Sequence, residues 1–525
     1  MKSFDVIVIG AGPNGLICSA YLANAGLNVL LLERRHESGG GLNTEEIGGF
    51  RFNLHAIYHM MSEIMPAHRD FELGKYLRYI YPEVQNSYLF EDGKSIVLYR
   101  DPKKSAKSIS EFSRSDAENF LKMYEEFQQM TNEILIPATY VPPYPPVDQV
   151  VAFQKDELGR KFSDISELTP RDILDKYGLK DSRVRMSILN LFAMWGISID
   201  EPLGYLFPLY VVRMNNIGFC VGGSHRLASA LHKVFIGSGK GMILETAEVD
   251  KIILENGRVK GVVLTDGREF TSEVVASTVD PHQTFLRFIG EKEEDLPEEL
   301  RKSAKAWQWE DKTFFSLHLG LKDAPNYNTQ NPDVNSSLIC FLGYDTEEEL
   351  VKHLKDIERG SLPEPLGHVT CTSIFDPLQA PEGFHTGRWE CLVPYALDWD
   401  KIKEEYAKRC IDKWKVFADN LDIVNMYIYP PTYIEKKLIN MVKGSFKHGA
   451  YNPLQMGYFR PNDMCSNTRT PIKGLYVCGA STYPGGMIIG GPGYIGANAI
   501  ADDLGVKKNW GVPEFVKRFL ERYSP

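Results

Sequence analysis

The strongest constraint on the fold is a glycine motif close to the start of the chain. Residues 4–9 (FDVIVI) form a short, continuously apolar and β-branched run, which predicts a buried parallel strand. The hexapeptide GAGPNG (residues 10–15) follows, and we expect a helix over Leu16–Ala25, a second strand over Asn28–Leu32, and Glu33 at the end of that strand. This order, within about 30 residues, predicts a Rossmann unit that binds a dinucleotide.

Each part of the motif has a physical role. Gly10 permits the tight turn, Gly12 lets the backbone approach a pyrophosphate, and Gly15 lets the helix pack on the strand. The helix N-terminus offers free N–H groups to phosphates, and Glu33 can bind the ribose hydroxyls. The predicted cofactor-binding residues of this unit are Gly10, Gly12, Pro13, Asn14, Gly15, Glu33 and Arg34.

A second glycine run favours FAD over NAD. Residues 34–45 read RRHESGGGLNTE, which resembles the second fingerprint of FAD enzymes of the glutathione-reductase and amine-oxidase type. A flexible glycine loop is the alternative. The fingerprint adds Gly40, Gly41 and Leu42 to the predicted cofactor site.

A third glycine-rich segment lies near the end of the chain. Residues 474–478 predict a strand, and six glycines between it and position 496 lead into a helix from about Tyr494 to Leu504. Such a helix N-terminus can direct N–H groups at a flavin, although a plain strand–turn–helix crossover is the alternative. The predicted cofactor-binding residues are Gly479, Ala480, Gly491, Gly493, Tyr494 and Ile495.

These segments resemble the phytoene desaturase-like branch of the flavin amine-oxidase superfamily, which includes carotenoid desaturases, carotenoid isomerases and retinol saturase. Four blocks match in order: FDVIVIGAGPNGL with GGGLNTE, VGGS leading into RLASAL, a strand pair ending VVASTVDP, and RTPIKGLYVCGASTYPGG. Two positions depart from the pattern. Gly479-Ala480 stands where more distant FAD enzymes have Gly-Asp, and Ser224-His225 stands where the family often has an apolar residue.

The resemblance implies an α/β fold: a Rossmann-type, glutathione-reductase-like FAD-binding domain with a discontinuous α+β substrate-binding lobe. It places the FAD-binding domain at residues 1–69, 216–289 and 445–525, the last with a C-terminal helix. The substrate lobe is placed at residues 70–215 and 290–444. It also implies that the backbone near Val249 lies beside the adenine.

Within residues 242–277 we expect three successive β segments, at 242–255, 258–264 and 269–277, with hairpin turns at Asn256-Gly257 and Asp266-Gly267. Residues 136–147 (IPATYVPPYPPV) contain five prolines and predict no regular helix. They are interpreted as an access lid or membrane-contacting loop, or equally as a stiff connector. Residues 512–523 predict an amphipathic helix, and packing on the body of the protein is its favoured role. Surface membrane contact and an oligomer interface are the alternatives.

Charge and composition exclude some functions. The net charge of −10 argues against a nucleic-acid partner, because binding phosphate backbones needs a basic surface. The eight cysteines form no C-x-x-C pair, which is typical of reduced thiols in the cytoplasm. Neither a signal peptide nor a membrane-spanning apolar run is apparent. We therefore expect a cytoplasmic protein, with peripheral membrane contact as an open alternative.

The catalytic candidates lie beside the expected flavin. The resemblance implies that residues 53–60 (NLHAIYHM) run close to the isoalloxazine ring, which nominates His55, Tyr58 and His59. On a helix the two histidines would share a face, but no carboxylate completes a metal site, and no metal is expected. His225, His448 and Tyr483 are weaker candidates.

The resulting hypothesis is an FAD-dependent oxidoreductase that transfers hydride at a carbon–carbon bond of an apolar, unsaturated, isoprenoid- or carotenoid-like substrate. Desaturation and saturation both stay open. A redox-neutral double-bond isomerase, an amine oxidase with Tyr58 and Tyr483 as an aromatic cage, and a non-enzymatic flavoprotein scaffold are the alternatives. The sequence contains no second Rossmann motif, which argues against a dedicated NAD(P) domain. The electron partner stays open between quinone, oxygen and NAD(P)H.

Overall fold

A Rossmann-type sheet lies at the centre of the computed structural model, which describes residues 2–290, 294 and 296–525. Its five strands are all parallel and follow the order Gly241–Leu244, Val29–Leu32, Val6–Ile9, Val275–Ser277 and Leu475–Val477. The predicted α/β class is confirmed. The strands come from three parts of the chain that are far apart in sequence.

The sheet is apolar along its strands because both of its faces are covered. Val6 and Val8 belong to one hydrophobic core, whereas Ile7 and Ile9, which point the other way, belong to another. On the first face the helix Pro13–Asn24 packs against two other helices, which span His225–Gly237 and Gly491–Asp503.

A four-stranded sheet contributes to the core on the second face. Its strands follow the order Lys2–Ser3, Glu269–Thr271, Arg258–Leu264 and Val249–Glu255. The predicted segments at 242–255 and 269–277 are both β structure in part, but each contains two strands that belong to different sheets. Between the two strands of segment 242–255, Thr246 has φ of +53° and turns the chain. Between the two strands of segment 269–277, a local turn is held by the Val274 N–H, which donates to Ser272 Oγ.

The second lobe is built on a seven-stranded mixed sheet. Its strands follow the order Ile423–Tyr429, Lys312–Leu321, His385–Pro394, Gly367–Thr370, Ser337–Leu342, Val84–Leu89 and Ser95–Tyr99. Two pairs of short strands complete the β structure: Thr44–Ile47 with Phe50–Asn53, and Tyr79–Ile80 with Phe219–Cys220.

Helices surround this sheet and link it to the Rossmann domain. The further α-helices span Pro66–Asp70, Pro102–Ser110, Arg114–Met130, Ile136–Ala138, Pro146–Phe153, Glu157–Ser166, Pro170–Lys176, Ser182–Ala193, Phe207–Met214, Glu298–Ala306, Glu347–Glu358, Trp399–Phe417, Pro431–Lys437 and Glu514–Tyr523. π-Helical turns span Thr131–Leu135 and His282–Gly290. Within the part of the chain that the structure describes, none of the helices has the length and hydropathy needed to cross a bilayer.

The proline-rich segment differs in part from the prediction. It is helical at both ends, since a helix spans Ile136–Ala138 and another starts at Pro146; residues 139–145 between them are not helical. Proline is tolerated at Pro146 because the first turn of a helix has no N–H partner to lose. Pro137 lies instead near the end of the continuous helical run that begins at Arg114. The C-terminal helix packs on the body as predicted, with Val516, Phe519 and Tyr523 buried. The eight cysteines are all buried free thiols.

A fully buried ion pair joins separate parts of the chain. Lys447 Nζ lies 2.8 Å from Glu310 Oε1, and both side chains are almost completely shielded from solvent. Lys447 also donates to the carbonyl oxygen of Trp195 at 2.6 Å. Because Trp195 follows one helix and Glu310 precedes a strand of the large sheet, the ammonium group fixes three segments at once.

Replacement of Lys447 with Met is expected to lower the free energy of unfolding by about 3–5 kcal/mol, because the Glu310 carboxylate would stay buried without its counter-charge. Urea denaturation measures the loss. The double variant Lys447→Met/Glu310→Leu is expected to recover much of it, since no buried charge is left unpaired. The control is Lys302→Ala, which removes a lysine from an exposed ion pair with Glu298. A loss of stability in Lys447→Met no larger than that in Lys302→Ala would contradict the expectation.

Candidate active site

The glycine turn lies at the carboxyl end of the strand Val6–Ile9. Gly10 has φ of +93°, and a Cβ added there would lie 2.6 Å from Thr278 Oγ1. A Cβ on Gly15 would lie 1.9 Å from the Gly10 carbonyl oxygen, whereas a Cβ on Gly12 would meet no atom within 4 Å. The fold therefore requires Gly10 and Gly15, while Gly12 faces open space that a ligand can occupy.

That space belongs to a cavity of about 880 Å³, here called the glycine-turn cavity. Its lining includes ten of the predicted cofactor-binding residues: Gly10, Gly12, Pro13, Asn14, Glu33, Arg34, Gly40, Gly41, Val249 and Ala480. Residues that were predicted from four separate segments of the sequence thus line one cavity.

The Glu33 carboxylate is held in a fixed orientation in this cavity. Its Oε2 accepts a hydrogen bond from the Ala11 N–H at 2.9 Å, and its Oε1 accepts one from the Arg35 N–H at 2.8 Å. Across the cavity, Arg34 donates to the carbonyl oxygen of Lys437 at 3.2 Å. The acid is therefore preorganised for hydroxyl donors such as those of a ribose.

A second cavity of about 920 Å³, the inner cavity, adjoins the first. The two share the lining residues Pro13, Asn14, Gly41, Met441, His448 and Ala480. Most of the inner lining is apolar: Leu54, Ile57, Trp195, Phe314, Ile434, Met441, Phe446, Met487 and Ile488. The glycine-turn cavity has more charged residues in its lining than the inner cavity, among them Glu33, Arg34 and Lys437.

One wall of the inner cavity is charged. Arg388 and Glu390 lie two residues apart on the strand His385–Pro394, so their side chains point to the same face and form an ion pair. Ser316 Oγ donates to Glu390 Oε1 at 2.9 Å, and His368 Nε2 lies 3.3 Å from Glu390 Oε2. Burial alone would raise the pKa of Glu390, but the charge of Arg388 and the hydrogen bonds lower it to about 2, so the carboxylate stays charged.

Two of the predicted catalytic residues, His55 and Tyr58, line the inner cavity together with His448. His55 Nε2 lies 3.2 Å from the Tyr429 hydroxyl, and its carbonyl oxygen accepts a hydrogen bond from Arg388 at 2.8 Å. Burial and the positive charges of Lys437 and Arg388 lower the pKa of His55 to about 3. Burial also lowers the pKa of His448 to about 4. Both His55 and His448 are therefore neutral at pH 7.

The other catalytic candidates lie elsewhere. His59 is completely buried and its Nδ1 lies 3.1 Å from the Tyr79 hydroxyl. His225 Nδ1 lies 3.1 Å from the Leu42 carbonyl oxygen, and its Nε2 is 3.3 Å from Glu37. Because residues 54–58 are not helical, His55 and His59 do not share a helix face. No group of three or more His, Cys, Asp or Glu side chains among the described residues could hold a metal ion.

Tyr483 lies on a third, outer cavity, where its hydroxyl donates to the Ala138 carbonyl oxygen at 2.9 Å. Tyr58 and Tyr483 therefore line different cavities and do not form an aromatic cage. Catalytic roles for His59, His225 and Tyr483 stay predictions without support from their positions.

Seven predicted cofactor residues line neither of the first two cavities: Gly15, Leu42, Gly479, Gly491, Gly493, Tyr494 and Ile495. Several of these glycines allow close packing instead. A Cβ on Gly479 would lie 2.0 Å from the Thr278 carbonyl oxygen, and one on Gly493 would lie 2.4 Å from that of Asn14. Close packing is thus one physical reason for glycine at these two positions, and their role in binding the cofactor stays a prediction.

Most of the residues that line the two cavities were not predicted from the sequence. The missed lining residues include Arg35, Thr278, Gln283, Arg287 and Lys437 in the glycine-turn cavity and Trp195, Phe314, Ser316, Arg388 and Glu390 in the inner cavity. A signal existed for one pair. Arg388 and Glu390 are alternate charged residues in a strand that is otherwise mostly apolar, a pattern that indicates a buried polar site.

The donor set fits FAD. Glu33 is positioned for the ribose, Gly12 and the start of the helix Pro13–Asn24 leave room for the pyrophosphate, and the adjoining inner cavity can take a flat apolar ring system.

Known proteins resemble this chain along its whole length. The model of the NAD(P)-binding Rossmann-like domain matches residues 8–71. A limonene dehydrogenase subunit of Castellaniella defragrans is 44% identical over 538 residues, covering 98% of both chains. Phytoene desaturase (neurosporene-forming) of Rhodobacter capsulatus is 24% identical over 95% of this chain and 93% of its own length. The crystal structure of an oxidoreductase from Methanosarcina mazei has a TM-score of 0.62 at 17% identity, covering 96% of this chain and all of that one.

Gly12→Ala and Gly15→Ala are expected to separate cofactor binding from folding. Gly12→Ala should leave the stability of the apoprotein within about 0.5 kcal/mol but weaken FAD binding at least about tenfold, because its Cβ points into ligand space. Gly15→Ala should lower the stability by about 2–3 kcal/mol, because its Cβ overlaps the backbone. Urea denaturation and FAD fluorescence titration of the apoprotein measure the two effects, and equal FAD affinity in wild type and Gly12→Ala would contradict the assignment.

Acid is expected to destabilise the protein below pH 6.5. Burial lowers the pKa of His59 from 6.5 to about 4, so between these values the unfolded chain binds a proton that the folded protein does not. The free energy of unfolding then falls with decreasing pH by about 1.4 kcal/mol per unit for each such histidine. Urea titrations between pH 7 and 4.5 should give a smaller slope for His59→Gln by that amount. An unchanged slope would mean that His59 takes up a proton in the folded state.

Proposed function

This chain belongs to the phytoene desaturase-like family of FAD-dependent oxidoreductases, and we propose that it dehydrogenates a small, unsaturated, apolar hydrocarbon of the terpene class. The observation that carries the proposal is the apolar inner cavity that adjoins the glycine-turn cavity. Its aliphatic and aromatic walls suit a ligand without hydrogen-bonding groups. The 44% identical relative is a limonene dehydrogenase subunit, which supports a terpene of similar size.

Bound FAD supplies a two-electron acceptor for a hydride from a substrate carbon. The residues of this chain hold the hydrocarbon and exclude water. Phe314 and Trp195 contribute apolar surface, and their burial of the substrate provides the binding energy.

Glu390 is the proposed proton acceptor. Loss of hydride leaves positive charge on the substrate carbon, and a neighbouring C–H bond then releases a proton as the new double bond forms. A carbocation is so strong an acid that a carboxylate with a pKa of about 2 is a sufficient base. Arg388 and Ser316 keep Glu390 ionised and oriented in an otherwise apolar wall.

The alternatives have less support. An amine oxidase would need an aromatic cage, and the two tyrosines suggested for it line separate cavities. A redox-neutral isomerase is distinguished by its product, which has the mass of the substrate. The relative's name marks it as one subunit of a dehydrogenase, so an assay of this chain should supply an artificial electron acceptor in place of any partner.

Purified holoprotein, supplied anaerobically with cyclic and linear monoterpene hydrocarbons, is expected to bleach its flavin and, with a ferrocenium acceptor, to yield a product two hydrogens lighter. Glu390→Gln should reduce kcat by at least about a hundredfold with a much smaller change in hydrocarbon Kd, because the amide cannot accept the proton. Stopped-flow absorbance and mass spectrometry measure both.

The matched control is Glu405→Gln, an exposed glutamate, which should keep wild-type turnover. Bleaching by amines alone would contradict the proposed substrate class. Rearranged product of unchanged mass without an acceptor would identify an isomerase instead. Full activity in Glu390→Gln would remove the carboxylate from the mechanism while leaving the hydrocarbon assignment intact.

A further inference from the structure

A large outer cavity lies on the other side of one chain segment from the inner cavity. Its volume is about 1380 Å³, and it is lined mainly by apolar and aromatic side chains from the proline-rich segment, from residues 205–210 and from residues 451–459. The segment between the two cavities is residues 483–490, here called the dividing segment. None of the residues predicted to bind FAD lines the outer cavity.

Successive residues of the dividing segment face different cavities. Ile488 lines the inner cavity and Ile489 lines the outer cavity. Within the described part of the chain, Gly486 and Met487 alone line both. Because Gly486 has no side chain, the side chain of Met487 is the group that stands at the junction.

The dividing segment is held firmly in an unfavourable backbone conformation. Met487 has φ of +73° and Ile488 has φ of +56°, a left-handed region that methionine and β-branched residues rarely adopt. Hydrogen bonds fix the segment on both sides: the Gly486 N–H donates to the Tyr451 hydroxyl at 3.0 Å, and the Tyr140 hydroxyl donates to the Ile489 carbonyl oxygen at 3.0 Å. Such strain persists only where the surroundings over-determine it, and it is concentrated at functional sites.

Glycine would satisfy this backbone better than methionine does. The residue at position 487 therefore keeps a long, flexible, apolar side chain at the junction despite a conformational cost. A role for that side chain in shaping the two cavities explains why the position is not a glycine.

We propose that Met487 closes the passage between the inner and outer cavities and so sets the upper length of the hydrocarbon that can bind beside the flavin. The inference rests on the proposed function and adds a limit to it. The inner cavity must hold both the flavin ring and the reacting part of the substrate, so a hydrocarbon that is too long for the remaining space would have to extend through the junction into the outer cavity. With the passage closed, the longer chain is excluded.

The test is Met487→Gly in the FAD-loaded protein. The probes are a ten-carbon and a twenty-carbon isoprenoid hydrocarbon, and the readout is the shift of the flavin visible spectrum on binding, which needs no turnover. Wild type is expected to bind the longer probe at least about tenfold more weakly than the shorter one. Met487→Gly is expected to remove that difference or reverse it, because the extra carbons gain a buried path. Its melting temperature should not fall, since glycine relieves the backbone strain.

Ile488→Gly is the matched control. It also relieves a left-handed residue and also shortens a side chain, but Ile488 lines the inner cavity and not the outer one, so the discrimination between probes should persist. Met487→Phe, which fills the junction further, should keep or strengthen the discrimination.

Three outcomes would overturn the inference while leaving the proposed function standing: equal binding of both probes by wild type, discrimination that survives in Met487→Gly, or discrimination lost equally in Ile488→Gly. If no hydrocarbon of either length perturbs the flavin of wild type or of Met487→Gly, the proposed function fails and the inference fails with it.

Discussion

The contact between the first helix and the first strand sets the geometry on which the remaining structure depends. Gly15 approaches the Gly10 carbonyl oxygen so closely that a Cβ would lie 1.9 Å from it, and only glycine permits that approach. It places the N-terminus of the helix Pro13–Asn24 at the carboxyl end of the central strand, where parallel sheets bind their ligands. The glycine-turn cavity, and the inner cavity that adjoins it, are built outward from this point.

The inner cavity combines two properties that usually oppose each other. Its surface is mainly apolar, yet Arg388, Glu390 and Ser316 place a charged pair and a hydroxyl on one wall. A charge in such surroundings is stable only when it is paired and hydrogen-bonded, and Glu390 satisfies both conditions. The neutral histidines His55 and His448 leave this pair as the main charge on the lining of the inner cavity. This arrangement suits chemistry in which positive charge develops on carbon.

The cavities also relate the protein to its family. Limonene dehydrogenase and phytoene desaturase, to which the chain is similar at 44% and 24% identity, are named for hydrocarbons of very different length. In this chain two apolar cavities lie on either side of the strained segment that carries Met487. A single side chain at such a junction can change the usable length of a site without altering the fold around it.

The sequence by itself determined the Rossmann unit, the FAD cofactor and the family. Those signals are local, because Gly10 to Glu33 form one strand–turn–helix–strand unit whose geometry follows from glycine freedom and hydrophobic periodicity. The tertiary structure alone decided which candidates meet. Ser316 and Glu390 are 74 positions apart and become neighbours only through the register of the large sheet. Likewise, His55 lines the inner cavity and His59 does not, because residues 54–58 form neither a helix nor a strand. Arg388, from a distant strand, donates hydrogen bonds to the carbonyl oxygens of Asn53 and His55 in this irregular segment. Long-range strand pairing leaves no local signature in the sequence. The lining of the inner cavity therefore could not be predicted from the glycine motifs that indicated the cofactor.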